Sequence, residues 1–358
     1  MPTLAELVDG VIGVDTHRDT LAAAALTPVG GLLAQTAVDA DTAGYQALLG
    51  FARAQVPGRR CWAVEGAGSY GAGLAAFLGA HGEQLVEAAR PKRPPRRTGA
   101  KTDAIDAVRA ARDALGQQPH QLAAPRQRGD RQALRVLLTT RRTAMAARTA
   151  AVNQLKALLV GAPEELRVQL RSLPTRQQIA VCASLRDRPT RSLEHQMTVL
   201  ALHSTVRRIQ ALQVEADELH SQLQQLTRAI APWLLELYGV GPISAAQLLV
   251  SWSHAGRFRS EAAFAALAGT NPIPASSGKI TRHRLNRGGD RQLNQALHTI
   301  ALVRLRDDPE TRAYATRRTT EGKSPRDIKR CLKRIIARQL FRLLERYHQP
   351  GVEVLRAA

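Results

Sequence analysis

The sequence predicts an α/β domain at the N-terminus, a helical middle with coiled-coil character, and a mostly α C-terminal third. Three observations carry this. Short apolar runs bounded by turn residues fill the chain as far as Val86; apolar residues at alternating three- and four-residue spacing run from Arg131 to Ile230; and glycine- and proline-rich turns separate helical patterns beyond Pro232. The expected domains are 1–125, 126–232 and 233–358.

In the first domain, Val11-Ile12-Gly13-Val14 is an apolar run ending in Asp15-Thr16-His17, and Thr20 to Leu26 resumes the pattern after a polar turn, so the pair reads as a hairpin. Leu32 to Val38 supplies a third strand, and Asp41-Thr42 caps a helix running to about Gln55. Cys61-Trp62-Ala63-Val64 reads as a buried strand ending in Glu65, followed by a glycine-rich turn and a helix from Tyr70 to about Leu78. Leu85-Val86 offers a fifth strand. The basic, proline-containing run from Arg90 to Arg97 is expected to be a loop.

Carboxylates terminate two of these strands, and a third element brings two more. Asp103 and Asp106 lie three apart and share one face if the segment is helical. Like charges so close repel, and hard oxygen ligands suit Mg²⁺. Taken singly, Asp15 reads equally as a turn residue, Glu65 as a helix cap and the Asp103/Asp106 pair as a solvated face. Three elements each delivering carboxylates at the ends of a sheet point instead to one metal centre. The order resembles the ribonuclease-H-like fold of the Holliday-junction resolvase RuvC, with Asp15, Glu65, Asp103 and Asp106 as its acidic quartet. Lys101 and Arg97 are either phosphate contacts or part of a solvated basic loop.

The charge narrows the function classes. Lys and Arg total 51 against 30 Asp and Glu, a formal charge of +21, which suits a phosphate backbone. No stretch is apolar for long enough to span a bilayer, so a cytoplasmic, nucleic-acid-facing protein is expected. The 3 cysteines, Cys61, Cys182 and Cys331, are isolated from one another, and neither a disulfide framework nor a zinc site follows. Aromatic residues are only 4%, too few for a grip based mainly on base stacking, so contacts to phosphate should dominate.

The middle holds two long heptad-like stretches, through Leu134, Leu138, Met145, Val152, Leu155 and Leu159, and through Leu202, Val206, Ile209, Ala216, Leu219, Leu223, Leu226 and Ile230. They pair either with each other or across an oligomer. Pro163, Pro174 and Pro189 break up the segment between them. Beyond Pro232, Leu237 to Ser244 reads as a helix-hairpin-helix, with Gly239 and Gly241 offering backbone N–H groups to phosphate, or as a plain helix–helix turn. The loop from Gly269 to Lys279 carries Ser276 and Ser277 and is followed by Arg282, His283, Arg284 and Arg287. A serine beside Lys279 and several guanidinium groups has a nucleophile and the charge to stabilise a pentacoordinate phosphate.

Together, Gly-Val-Asp-Thr-His, Val-Glu-Gly-Ala-Gly-Ser-Tyr and Lys-Thr-Asp-x-x-Asp-Ala, followed by Gly-Val-Gly-Pro, Pro-x-x-x-Ser-Ser-Gly-Lys and Arg-Leu-Asn-Arg-Gly-Gly, resemble the insertion-sequence-110 family of transposases, which includes the Piv-type DNA invertases. The resemblance runs from Val11 to about Leu344, with the middle alike in character only. It implies Mg²⁺ on Asp15, Glu65, Asp103 and Asp106, and Ser277 as the nucleophile of a transient phosphoserine link, with Ser276 as the neighbouring alternative. It also implies double-stranded DNA at element ends and target as substrate, and guidance by a structured RNA from the element. Asp290 stands where much of the family is expected to carry asparagine. With metal and serine on separate domains, a dimer or tetramer is expected to assemble the site. The rival readings are a RuvC-like junction endonuclease using only the acids, and a non-catalytic nucleic-acid-binding protein.

Overall fold

A computed structural model describes residues 2–88, 103–126, 128–186, 190–275 and 283–347. The chain divides into two compact units, the first built mainly from residues 1–128 and the second from 129–252 with 261–344.

The first unit is organised on β1 (Gly10–Thr16), every residue of which is buried. It pairs antiparallel with β2 (Thr20–Leu26), which pairs with β3 (Leu32–Asp39), and parallel with β4 (Arg60–Glu65), which pairs with β5 (Gln84–Ala88). The sheet order is therefore β3-β2-β1-β4-β5. Central strands covered on both faces need apolar interiors, and β1 has one in Val11–Val14 and β4 in Cys61–Val64, with polar residues only toward their ends. Ile12, Val14, Trp62 and Val64 face α1 (Thr42–Gln55) and α2 (Ala72–Ala80) through Leu48, Ala52, Leu74 and Leu78. Val11, Cys61 and Ala63 face α3 (Asp103–Leu115) through Ala107, Ala111 and Ala114.

Asp41 caps α1 as expected, accepting a hydrogen bond from the Gly44 N–H at 2.8 Å. The start expected at Tyr70 moves to Ala72, because Ser69 and Gly71 both donate backbone hydrogen bonds to the Gly66 carbonyl and hold the chain in a turn up to that point.

In the second unit, α4 (Asp130–Val160) and α7 (Leu193–Ile230) run antiparallel within one chain. Leu155 and Leu159 meet Leu202, Val206 and Ile209 in a shared core. The intervening prolines start helices: Pro163 precedes α5 (Glu164–Leu170) and Pro174 precedes α6 (Thr175–Ser184), where a missing N–H costs nothing. Pro189 lies outside the described residues. After α8 (Pro232–Glu236), α9 (Pro242–Trp252) is buried from Ser244 to Trp252, the signature of a helix enclosed by others. α10 (Glu261–Leu267), the short strands β6 (Ile273–Pro274) and β7 (His283–Arg284), α11 (Arg291–Asp307), α12 (Pro309–Thr320) and α13 (Pro325–Tyr347) complete it. Among the described residues no helix is long and apolar enough to cross a membrane.

Candidate functional site

Gly13 determines where the acids meet. A Cβ at this position would collide with the carbonyl oxygen of Ala107, so only glycine lets the α3 backbone lie directly on β1. That contact sets the first turn of α3, with Asp103 and Asp106, beside the end of the strand that carries Asp15. The alanine stripe Ala107, Ala110, Ala111 and Ala114 keeps the rest of α3 equally close. Strand alternation puts Asp15 and Glu65 on this same face, two residues beyond Gly13 and Ala63. Thr16 ties the two strand ends together, its hydroxyl donating to the Glu65 carbonyl at 2.8 Å.

Ligand atoms of Asp15, His17 and Asp103 all lie within 4.8 Å of one another. The His17 Nε2 stands 3.3 Å from an Asp15 oxygen and 3.1 Å from an Asp103 oxygen, between the two carboxylates. Asp15 is 8% exposed. Burial raises its pKa above the usual carboxylate value; the imidazole of His17 opposes that rise, and the charges of Asp103 and Asp106 add to it. Asp106 sits just outside the tightest group, where Arg109 donates to it at 2.9 Å. Glu65 also lies outside that group, at the end of the neighbouring strand.

A buried carboxylate facing two others, with one imidazole between, is a donor set of hard oxygens and nitrogen with unbalanced negative charge. It is suited to a divalent cation. His17 is the residue that sequence reasoning passed over. The signal was present, since residues two apart on a strand leave on one face, and His17 follows Asp15 by two.

The second set of expected residues lies in the other unit. Lys101, Ser276, Ser277, Lys279 and Arg282 are outside the described residues, as is Arg97. The serines fall in the connection between Pro274 and His283, which pair across the β6–β7 ladder. Below it, two glycine turns interlock: Gly289 has φ +91° and a Cβ there would strike the Leu267 carbonyl, while Gly269 packs its α-carbon against Gly288. Asn286 donates to the Asn271 side chain at 2.6 Å, and Asn294 to the Ala268 carbonyl at 2.6 Å. Asp290 caps α11, accepting from the N–H groups of Gln292 and Leu293 at 2.9 and 3.1 Å and from the Ser251 hydroxyl at 2.6 Å. An aspartate therefore serves this turn fully. His283, Arg284 and Arg287 are exposed. In the Leu237–Ser244 turn, Gly239 has φ +79° and abuts Ile300 on α11, whereas Gly241 is open to solvent. Of the two, only Gly241 has free space around its α-carbon.

An α/β unit whose strand ends and facing helix carry clustered carboxylates, followed in the chain by a helical unit, has the make-up of a DEDD-type transposase. Residues 12–162 match a family model described as a transposase, that of the DEDD transposases of IS110, and residues 231–316 match the model described as Transposase IS116/IS110/IS902 family. The chain belongs to the IS110 family of transposases. It is similar to an uncharacterized 42 kDa protein of insertion element IS900 from Mycobacterium paratuberculosis, 30% identical over 132 residues, covering 36% of this chain and 33% of that protein. It is also similar to an uncharacterized 43.6 kDa protein of insertion element IS110 from Streptomyces coelicolor, 34% identical over 117 residues, or 32% and 29% of the two chains. The matched stretches thus span about a third of each relative's length.

Proposed function

We propose that the protein is a DNA transposase that cuts and rejoins strands through a phosphoserine intermediate, using a RuvC-like acidic site and a serine carried by the other unit. The observation that supports it most is the burial of Asp15 against Asp103, with Asp106 adding to the repulsion: a fold has no stability to gain from that arrangement. The three-part division into an acidic domain over 1–125, a helical arm over 126–232 and a serine domain over 233–358 follows from this reading. The mixed sheet order with α3 on one face favours the ribonuclease-H-like assignment.

In this reading Asp15, Glu65, Asp103 and Asp106 hold Mg²⁺, which when bound supplies positive charge to phosphate oxygens as negative charge builds there. The Ser277 hydroxyl oxygen forms a bond to phosphorus as the bond from phosphorus to one sugar oxygen breaks. The departing sugar oxygen takes up the proton that serine gives up. A second sugar hydroxyl later displaces serine, so the number of phosphodiester bonds is conserved and no external energy source is required. Arg282, Arg284 and Arg287 are placed in sequence to balance the charge on that phosphate, and Lys101, Lys279 and Gly241 to hold the backbone on either side. Sequence choice is delegated to a structured RNA pairing with donor and target DNA, which suits a chain of charge +21 that grips backbone shape. Subunits of a dimer or tetramer bring acids and serine together.

The test uses DNA spanning the element's ends. A denaturing gel is expected to show protein covalently joined to DNA for the native chain and none for Ser277→Ala or Asp103→Asn. Mixing these two inactive variants is expected to restore joining where acids and serine come from different subunits. Strand cleavage by Ser277→Ala without an adduct would overturn the reading in favour of a junction endonuclease. Unchanged nucleic-acid phenotypes in Asp103→Asn would favour a non-catalytic binder.

A further inference from the structure

The second unit contains a cavity of about 530 Å³ at the foot of β7, reaching from the Gly269–Asn271 turn to α13. Six cationic side chains line it, Arg284, Arg318, Lys323, Arg330, Lys333 and Arg334, against one carboxylate, Asp327. That carboxylate is already engaged, by Arg330 at 3.1 Å and by the Ser324 hydroxyl at 2.6 Å. The Lys333 ammonium donates to the neutral amide oxygen of Asn294 at 2.9 Å, and Arg334 to the Glu261 carbonyl at 3.2 Å. The Arg318 Nε is buried without a hydrogen-bond partner, although another nitrogen of the same group reaches Glu321.

Half-burying Lys333 and Arg334 around one space costs free energy that a neutral amide and a carbonyl do not return. Burial, with Arg330 nearby, lowers the Lys333 pKa, as expected of a cation short of counter-charge. The walls are not wholly polar. Leu285 and Ile335, 44% and 46% exposed, leave apolar surface at the cavity, the kind against which a sugar packs.

We propose that this cavity seats a backbone phosphate of the DNA strand being cut, with Arg330 and Lys333 as the principal contacts and Leu285 and Ile335 against the adjoining sugar. The proposal rests on the reading that the connection between β6 and β7 carries the nucleophile: β7, to which that connection leads along the chain, forms one wall of the cavity. A contact of this kind is sequence-neutral and fixes register. It would explain why charge is concentrated under this hairpin when serine chemistry alone requires only the arginines beside it.

Cys331 lines the same cavity and is half-buried, whereas Cys61 and Cys182 are 2% and 0% exposed, so alkylation of this thiol reports occupancy. With the full chain and a duplex spanning an element end, DNA is expected to slow Cys331 alkylation in the native protein and equally in Ser277→Ala. Arg330→Gln and Lys333→Gln are each expected to abolish the protection and to lower the slope of log affinity against log salt by about one. Lys333→Gln also removes a partner of Asn294, whereas Arg330→Gln, whose side chain is 45% exposed, gives up only a solvent-exposed pair with Asp327 and so provides the same test at less risk to folding. DNA binding with native salt slope in both variants, or protection of Cys331 by the element's RNA and not by DNA, would overturn the proposal. Those outcomes leave the covalent adduct untouched, whereas loss of the serine mechanism would leave Cys331 protection intact.

Discussion

Two buried carboxylates stand at opposite ends of the same parallel strands. Glu83 precedes β5, its side chain 4% exposed; Asp15 ends β1, its side chain 11% exposed. Burial alone would raise the Glu83 pKa, but hydrogen bonds from Arg60 at 2.8 Å and Trp62 at 2.9 Å, with the charges of Arg60 and Arg53, outweigh it and hold the carboxyl below its usual value. For Asp15 the burial prevails: the His17 imidazole and the Thr16 N–H oppose it, but the charges of Asp103 and Asp106 add to it, and the carboxyl stays above its usual value. The contrast separates a carboxylate that stabilises the fold from one the fold tolerates. Similar exposure therefore says little about role; the sign of the surrounding charge decides it.

The largest effect on stability is expected from Glu83→Gln, which leaves the Arg60 guanidinium buried without its counter-charge and should cost about 3–5 kcal/mol at neutral pH. Because the folded pKa is depressed, the contribution of Glu83 is present above its unfolded pKa and lost as pH falls through the folded value. Melting temperatures of the native and variant chains should therefore converge on acidification. Gly13→Ala comes next, at about 1–3 kcal/mol, since the methyl group forces α3 away from β1. It should also weaken divalent-cation binding, measured calorimetrically, by moving Asp103 from Asp15; unchanged binding would show that the close helix–strand contact is not what assembles the acids. The smallest effect has the opposite sign. Asp15→Asn should stabilise the metal-free fold by about 1 kcal/mol, because it removes a buried charge facing like charges. A melting temperature that falls instead would place Asp15 with Glu83 as a structural residue.

The elements that sequence patterns located correctly are those stabilised by near neighbours. The Asp41 cap and the apolar spacing from Tyr45 to Ala52 specify α1 within the segment itself, and the short uninterrupted apolar runs Val11–Val14 and Cys61–Val64 specify central strands. The segment between α4 and α7 resisted such reading because Pro163 and Pro174 begin helices as readily as they interrupt them, and the choice depends on what Leu166 and Leu170 pack against. The acids were legible as residue types at strand ends; the two-residue spacing from Asp15 to His17 was legible as well, but its use was not, because a lone histidine after a strand has many uses until its neighbours are in place.

The residues themselves determined the cationic character, the alternation of strands and helices in the first unit, and which acids stand at element ends, because each depends on composition or on contacts a few residues apart. Only the tertiary structure decided that His17 lies between Asp15 and Asp103, that α4 and α7 pair within one chain, and that α12 and α13 contribute cations to a cavity under β7. Those arrangements join residues tens of positions apart, and they exist only because close packing, such as α3 on Gly13, leaves the chain no other way to fill the space.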